Sequence, residues 1–333
     1  MKSEARPASA DLPALGFDIG GSSTKIGIVS RSGQMLAVEH LPTDVETIGL
    51  KAFLSGFLDA IEKMLALADR NVAGIGGTFL GWIDDARRGP FLCLNAPSLH
   101  GLDLQSILLD RFDLPVALID DSSAHLLAEY TFGSGRGVRR FMNLAMGTGL
   151  TAGVVINGKP LDFTFGCIGD TGHLILRPGG PTCSAGCKGC AEALIGVEGI
   201  ERLSRQIYGR PVTARQVIER ARDGSDLQAR AVIQEVGAYA GELLASLSHI
   251  FLPERITLTG GTANAGEILL LAVRQRFYYL TADYHQLYAN LSNGAYTGVE
   301  IVLGKVLEHS GLIGSTVHLF STITNQPDSK KGN

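Results

Sequence analysis

Apolar positions in this chain recur with two periods, and each period marks a kind of element. In "ALGFDIGGSSTKIGIVS" they read as a strand, a Gly-Gly turn and a second strand. A hairpin at "RSGQ" then leads to a third strand, "MLAVEH". "FMNLAMGTGLTAGVVINGKPL" repeats the scheme, with a Gly-Thr-Gly turn and then an Asn-Gly hairpin. The period changes after each. "TIGLKAFLSGFLDAIEKMLALADR" sets Leu50, Phe53, Leu54, Phe57, Leu58 and Ile61 at helical spacing. "AEALIGVEGIERLSRQIYG" and "DLQARAVIQEVGAYAGELLASLSHI" predict helices in the second half. "VALID", ending at Asp120, is a buried strand entering a helix from about Ser122 to Phe132, and "RITLTGG" is a strand ending at Gly261, before a helix starting near Asn264. Strands followed by helices, occurring twice, predict an α/β fold of two related domains meeting near residue 122 with a cleft between them. Ligands bind at the carboxyl ends of strands in such folds.

Composition narrows the function classes. A chain of 333 residues has room for two cores. Its formal charge of −4 comes with scattered basic residues, which gives nucleic acid no electrostatic footprint. No apolar run approaches the roughly 20 residues a membrane span requires. The start, "MKSEARPASADLPA", reads as a frayed end with no signal peptide. The five cysteines are Cys93, Cys167, Cys183, Cys187 and Cys190; an odd, clustered set argues for a cytoplasmic protein without a disulfide framework. Glycine, at 42 residues, is the anomaly against the usual ~7%.

The glycine sits in turns that could meet a ligand. After Asp18, Gly20 and Gly21 can take positive φ and turn their N–H groups outward, and Ser22, Ser23 and Thr24 add hydroxyls. Gly147, Thr148 and Gly149 offer the same chemistry, and Gly260, Gly261 and Thr262 make a third such place. A single turn of this kind reads equally as a plain hairpin. The matching pair suggests β-hairpin phosphate clamps, since no G-x-x-x-x-G-K-[ST] loop occurs. Asp18 is placed to hold Mg²⁺ through water. A separate cluster, "HLILRPGGPTCSAGCKGC", poses a metal site against a redox site.

Together "GFDIGGSSTKIGIV", "LIDDSSAHLLAEYTFGSG", "LAMGTGL", "IGDTGHL" and "CSAGCKGCAE" resemble, in order and spacing, the ROK family of bacterial sugar kinases and sugar-responsive repressors. The resemblance runs from about residue 14 to 315. It implies two actin-like ATPase (ribonuclease H-like) domains and an ATP-dependent kinase acting on a hexose or amino-sugar. Mg²⁺ for catalysis, a structural Zn²⁺ and a homodimer or higher oligomer are implied with it. The expected organisation is a tail over 1–13, a small domain over 14–122 completed by a C-terminal helix near 305–320, a large domain over 123–304 carrying a zinc loop at 173–192, and a polar tail over 321–333.

Site residues follow from the same resemblance. The family's Asn-Asp falls on Asp120-Asp121, so Asp121 resembles the general base; the plainer role for Asp121 is a helix N-cap. Asp120 stands where the family has a sugar-binding Asn. Asp170 replaces a Glu while His173 remains. Glu192 matches a sugar-binding Glu, and Ser98 replaces an Asn, with Asn95 near enough to compensate. The family's zinc loop, Cys-x-Cys-Gly-x-x-Gly-Cys-x-Glu, puts cysteines at Cys183 and Cys190 but Ala185 at the second position. Cys187 keeps the count at three, and with His173 makes a Cys₃His set for structural zinc.

Three function classes remain. The first is a sugar kinase; a polyphosphate-using variant would want basic residues, of which Arg136, Arg139 and Arg140 are the local cluster. The second is a non-catalytic sugar sensor, motivated by the altered sugar ligands. The third, a repressor, is disfavoured because only about 14 residues precede the first strand, too few for a winged helix.

Overall fold

In the computed structural model, which describes residues 12–321 apart from 22, 80, 94–95, 164–167 and 307–308, the first three apolar runs form an antiparallel meander. β1 (Ala14–Ile19), β2 (Ser23–Val29) and β3 (Met35–Pro42) pair antiparallel, with a register shift in the β2–β3 pair between Ile28 and Val29, and the second hairpin closes with the Gly33 N–H on Ser30 O at 2.9 Å. β1 is buried on both faces, whereas β3 alternates half-buried and exposed, as an edge strand does. A short α1 (Val45–Ile48) is cut from α2 (Leu50–Leu67) at Gly49, whose φ is 83°. Phe53, Phe57 and Ile61 of α2 are buried as the spacing predicts; Leu50, Leu54 and Leu58 flank them half-buried.

Next come β4 (Ile75–Phe79), a small hairpin of β5 (Trp82–Ile83) and β6 (Pro90–Leu92), α3 (Leu104–Phe112), β7 (Val116–Asp120) and α4 (Asp121–Phe132). The sheet runs β3-β2-β1-β4-β7, with β1, β4 and β7 parallel. β4, "IGGTF", is legible only afterwards. Its glycines hide a strand, and Gly77 is required because a Cβ there would lie 1.9 Å from the Phe17 ring.

The second half repeats the plan. β8 (Arg140–Met146), β9 (Leu150–Ile156) and β10 (Lys159–Pro160) are antiparallel. Helices α5 (Ala191–Ile195), α6 (Val197–Tyr208), α7 (Ala214–Arg222) and α8 (Leu227–Phe251) follow, then β11 (Arg255–Thr259), α9 (Glu267–Leu291) and β12 (Glu300–Leu303). The order β10-β9-β8-β11-β12 has β8, β11 and β12 parallel, the same directions as in the first sheet. Two details differ from the sequence expectation. The helix read across 191–208 breaks at Gly196, and the helix expected near Asn264 starts at Glu267, after a 3₁₀ turn over Gly261–Ala265.

Finally α10 (Ser310–Ser315) and α11 (Val317–Ser321) return to the first sheet. The chain divides into one unit of residues 1–132, 162–167 and 308–333, and a second of 133–161 and 168–307. The first therefore extends ten residues past the boundary expected at 122. The reason is packing: α4 lies against α10 so closely that a Cβ on Gly314 would meet Ala124 O at 1.8 Å. Among the described residues no helix is long and apolar enough to cross a membrane.

Candidate active site

Parallel strands bring their carboxyl ends to one edge of a sheet, and in the first unit that edge carries acid. Asp18 is next to last in β1 and Asp120 last in β7; α4 starts at Asp121 without an intervening loop. Asp120, 2% exposed, accepts the Ser123 N–H on Oδ1 at 3.0 Å, which is the capping bond of α4. The N-cap role weighed for Asp121 thus falls on its neighbour. Asp121 is half-buried, with Oδ1 accepting the Ser122 N–H at 2.9 Å. Burial pushes Asp120 up to about 6, against the opposing pull of Ser123. Burial, then the charges of Asp120 and Asp18, push Asp121 up to about 8. A helix N-terminus favours ionised carboxylates by about 0.3–1 kcal/mol; here desolvation and like charge win.

The first turn only partly follows expectation. Gly20 keeps an ordinary φ, and glycine is needed there because a Cβ would lie 2.9 Å from Ser23 O. Thr24 is fully buried and its hydroxyl bonds Thr43 Oγ1 at 2.7 Å. As a phosphate ligand Thr24 is a correction: strand alternation turns it inward. Ser22 lies outside the described residues. The same alternation puts half-buried Lys25 beside Ser23 and directly across from Asp18. His125 of α4 completes this group, with Nδ1 2.7 Å from Ser310 Oγ. Burial lowers its pKa, Asp18 raises it and Lys25 lowers it. Sequence reasoning missed Lys25 and His125; the signal for the first was its position two residues after Ser23. Ser98 is exposed, and Glu46 accepts both its N–H and its hydroxyl at 2.9 Å. It is a surface clamp between α1 and its own 3₁₀ turn. Asn95 falls outside the described residues.

In the second unit, Gly147, Thr148 and Gly149 form the β8–β9 turn, closed by the Gly147 N–H on Gly149 O at 2.9 Å, with Thr148 exposed. Glu192 reaches this turn: its Oε2 accepts the Leu150 N–H at 3.2 Å. Gly260 has φ 84° and ends β11, and Gly261 is exposed beside it.

The cysteine loop gathers three of its four expected ligands. One donor atom each of His173, Cys183 and Cys190 lies within 4.8 Å of the others. His173 Nδ1 is 3.6 Å from Cys183 Sγ, while its Nε2 is 3.5 Å from Asp170 Oδ2. The two ring nitrogens thus face a thiol and a carboxylate on opposite sides, an arrangement that suits a metal-binding histidine. Cys187 packs against Cys183 and Cys190 but stands outside the 4.8 Å group. A turn carries it, with the Cys183 N–H on Cys187 O at 2.9 Å. Gly189 fixes the loop's return: φ is 76°, and a Cβ would lie 1.6 Å from Arg177 O. Two thiols, a third beside them and an imidazole suit Zn²⁺ in chemistry and number.

Comparison with known proteins bears on the fold and the family. The sequence profile of the ROK family matches residues 14–320. A glucokinase of Thermotoga maritima is 29% identical over 319 residues, 91% of this chain and 96% of that protein. An N-acetyl-D-glucosamine kinase of Escherichia coli is 27% identical over 75% of this chain and 84% of its own length. Among solved structures, a ROK family glucokinase from Streptomyces griseus in complex with glucose and AMPPNP superposes with a TM-score of 0.74 at 26% identity, covering 91% of this chain and 97% of that one.

Proposed function

The chain belongs to the ROK family, and from that premise we propose that it is an ATP-dependent sugar kinase, acting on a hexose or amino-sugar with Asp121 as the general base. The observation that carries the reading is the carboxyl pair at the β7–α4 corner. A sugar hydroxyl is a weak nucleophile at neutral pH, and a base with pKa near the working pH is the efficient one to take its proton. Burial and like charge raise Asp121 into that range. Ser23, Lys25 and His125 of the first unit supply donors and positive charge suited to phosphate oxygens.

Magnesium would supply charge neutralisation on the phosphates, with Asp18 holding it through water. Zinc would be structural, on His173, Cys183, Cys190 and Cys187, and its work would be to fix the loop from which Glu192 reaches the β8–β9 turn. The guanidinium groups of Arg139 and Arg140 both pair with Glu254, which makes them poor candidates for a polyphosphate channel. The altered residues Asp120, Asp170 and Ser98 favour a second reading, a sugar sensor without turnover. ADP release with Mg²⁺ and ATP, measured across hexoses, N-acetylhexosamines and pentitols, separates the two. A kinase releases ADP with at least one sugar; a sensor binds sugar in calorimetry and releases none.

A further inference from the structure

The arm that leads from His173 into the cysteine loop, residues 174–177, meets the helical layer mainly through charge. Leu174 and Ile175 are exposed, and a groove of about 390 Å³, lined by Ile175, Leu176, Ala245 and Leu280 among others, lies between the arm and helices α8 and α9. Leu176 reaches the core; the rest of the gap is spanned by Glu242 of α8, whose side chain is 12% exposed. Arg276 of α9 donates to its Oε1 from Nε at 3.0 Å and from Nη2 at 2.5 Å, which leaves Oε2 for Arg177 Nη2 at 2.6 Å. The Arg177 guanidinium also lies 5.2 Å from the ring of Tyr239, one turn away on α8. An exposed ion pair contributes little. Here the shared carboxylate is nearly buried with both oxygens committed, so removing one partner leaves charge uncompensated. The backbone of Arg177 belongs to the loop: its N–H donates to Gly189 O at 2.9 Å and its O accepts the Gly180 N–H at 2.8 Å. Two residues back, Ile175 pairs antiparallel with Cys190, and Glu192 follows in the same stretch.

We propose that Glu242 is a positioning residue: through Arg177 it ties the cysteine loop to α8 and α9, and so sets where Glu192 stands at the β8–β9 turn. The chain of contacts is short. Glu242 is fixed to α9 by Arg276 at a level where the two helices touch, since a Cβ on Gly241 would lie 2.8 Å from the Arg276 Cβ. Arg177 carries that position into the hairpin it shares with Gly189, and the hairpin runs on through Cys190 to Glu192, which accepts the Leu150 N–H at 3.2 Å. The effect on turnover rests on the sugar-kinase reading; the attachment of the loop does not.

The test measures amide hydrogen exchange along the whole chain, with kcat and KM for the best sugar, in the parent, Arg177→Met, Arg177→Lys and Glu242→Gln. Arg177→Met keeps an unbranched stem without its charge, at a half-exposed position where the fold should survive. It and Glu242→Gln should exchange faster across residues 174–192 alone. Both should raise the sugar KM at least about threefold with kcat near the parent's, less than the roughly 10–100-fold of a residue bonded straight to a metal ligand. Arg177→Lys should restore both readouts most of the way, because the contact is a single N–H on Oε2. Exchange across 174–192 equal to the parent's in Arg177→Met would overturn the proposal, and so would exchange that quickens through the second unit alike, the mark of a merely structural role. Faster local exchange with an unchanged KM would overturn the link to Glu192. Absence of turnover with every sugar would remove the kinase reading, while the exchange result would still decide whether Glu242 holds the loop.

Discussion

At the scale of single residues, the two aspartates show how position sets chemistry. Quoted alone, "LIDDSS" offers two equivalent carboxylates. In the structure one caps the helix and is sealed, and the other stands half-buried, its pKa raised first by desolvation and then by the charges of Asp120 and Asp18. A consequence for stability follows. The folded Asp121 holds its proton up to about 8, whereas an unfolded aspartate releases it near about 4. Between those values the folded state binds more protons, so stability falls as pH rises through the window. Asp121→Asn removes this cost. Thermal melts should give the variant a Tm higher by several degrees at pH 8, converging with the parent near pH 4; equal melting temperatures at pH 8 would contradict the raised pKa. The activity has the opposite sign. Since the base must be unprotonated, kcat/KM should climb as pH rises from 6 toward 8.

Residues also show where reading a sequence stops. Asp121 stands out as the candidate base because a strand-to-helix corner and a family motif coincide there. Lys25 and His125 do not stand out, because one is an ordinary strand lysine and the other becomes informative only when α10 brings Ser310 to its ring. Thr24 was misread for a related reason: a hydroxyl in a turn sequence points wherever the strand's alternation sends it.

At the scale of elements, both meanders and most long helices were legible from their periods. β4 was not, since "IGGTF" carries its glycines for the sake of Phe17, a partner distant in sequence. The cysteine loop is the element on which most depends. Its candidate ligands come from a 3₁₀ turn at His173, a turn at Cys183–Cys187 and the start of α5, elements that no single local motif holds together. Metal analysis should find about one zinc per chain, with Cys183→Ala and Cys190→Ala losing it. Cys187→Ala is the decisive variant for the fourth position: a full zinc complement in that variant would mean that another group fills it. Gly189→Ala should act without touching a ligand, because its Cβ has no room against Arg177 O and its φ is left-handed. Loss of zinc together with a lowered Tm is the expected outcome; zinc content equal to the parent's would show the loop to be more compliant than its geometry indicates.

At the scale of the whole molecule, the repeated sheet order explains why two half-chains open alike. Each sheet sets a hairpin of two antiparallel strands beside parallel ones, so each places a β-turn near its parallel carboxyl ends. That symmetry is what made two glycine turns more telling than one. The homodimer that family membership leads us to propose is tested by light scattering at micromolar concentration, where a single species near the 35.3 kDa chain mass would count against it.

The proposed phosphoryl transfer turns on one proton and one residue. With saturating Mg²⁺-ATP and the best sugar found by ADP release, kcat of Asp121→Asn should fall by at least about a hundredfold, the contribution of a general base, while calorimetry shows the sugar still bound. A kcat within threefold of the parent would contradict the assignment of Asp121 as the base, and Asp120 would be the next residue to test.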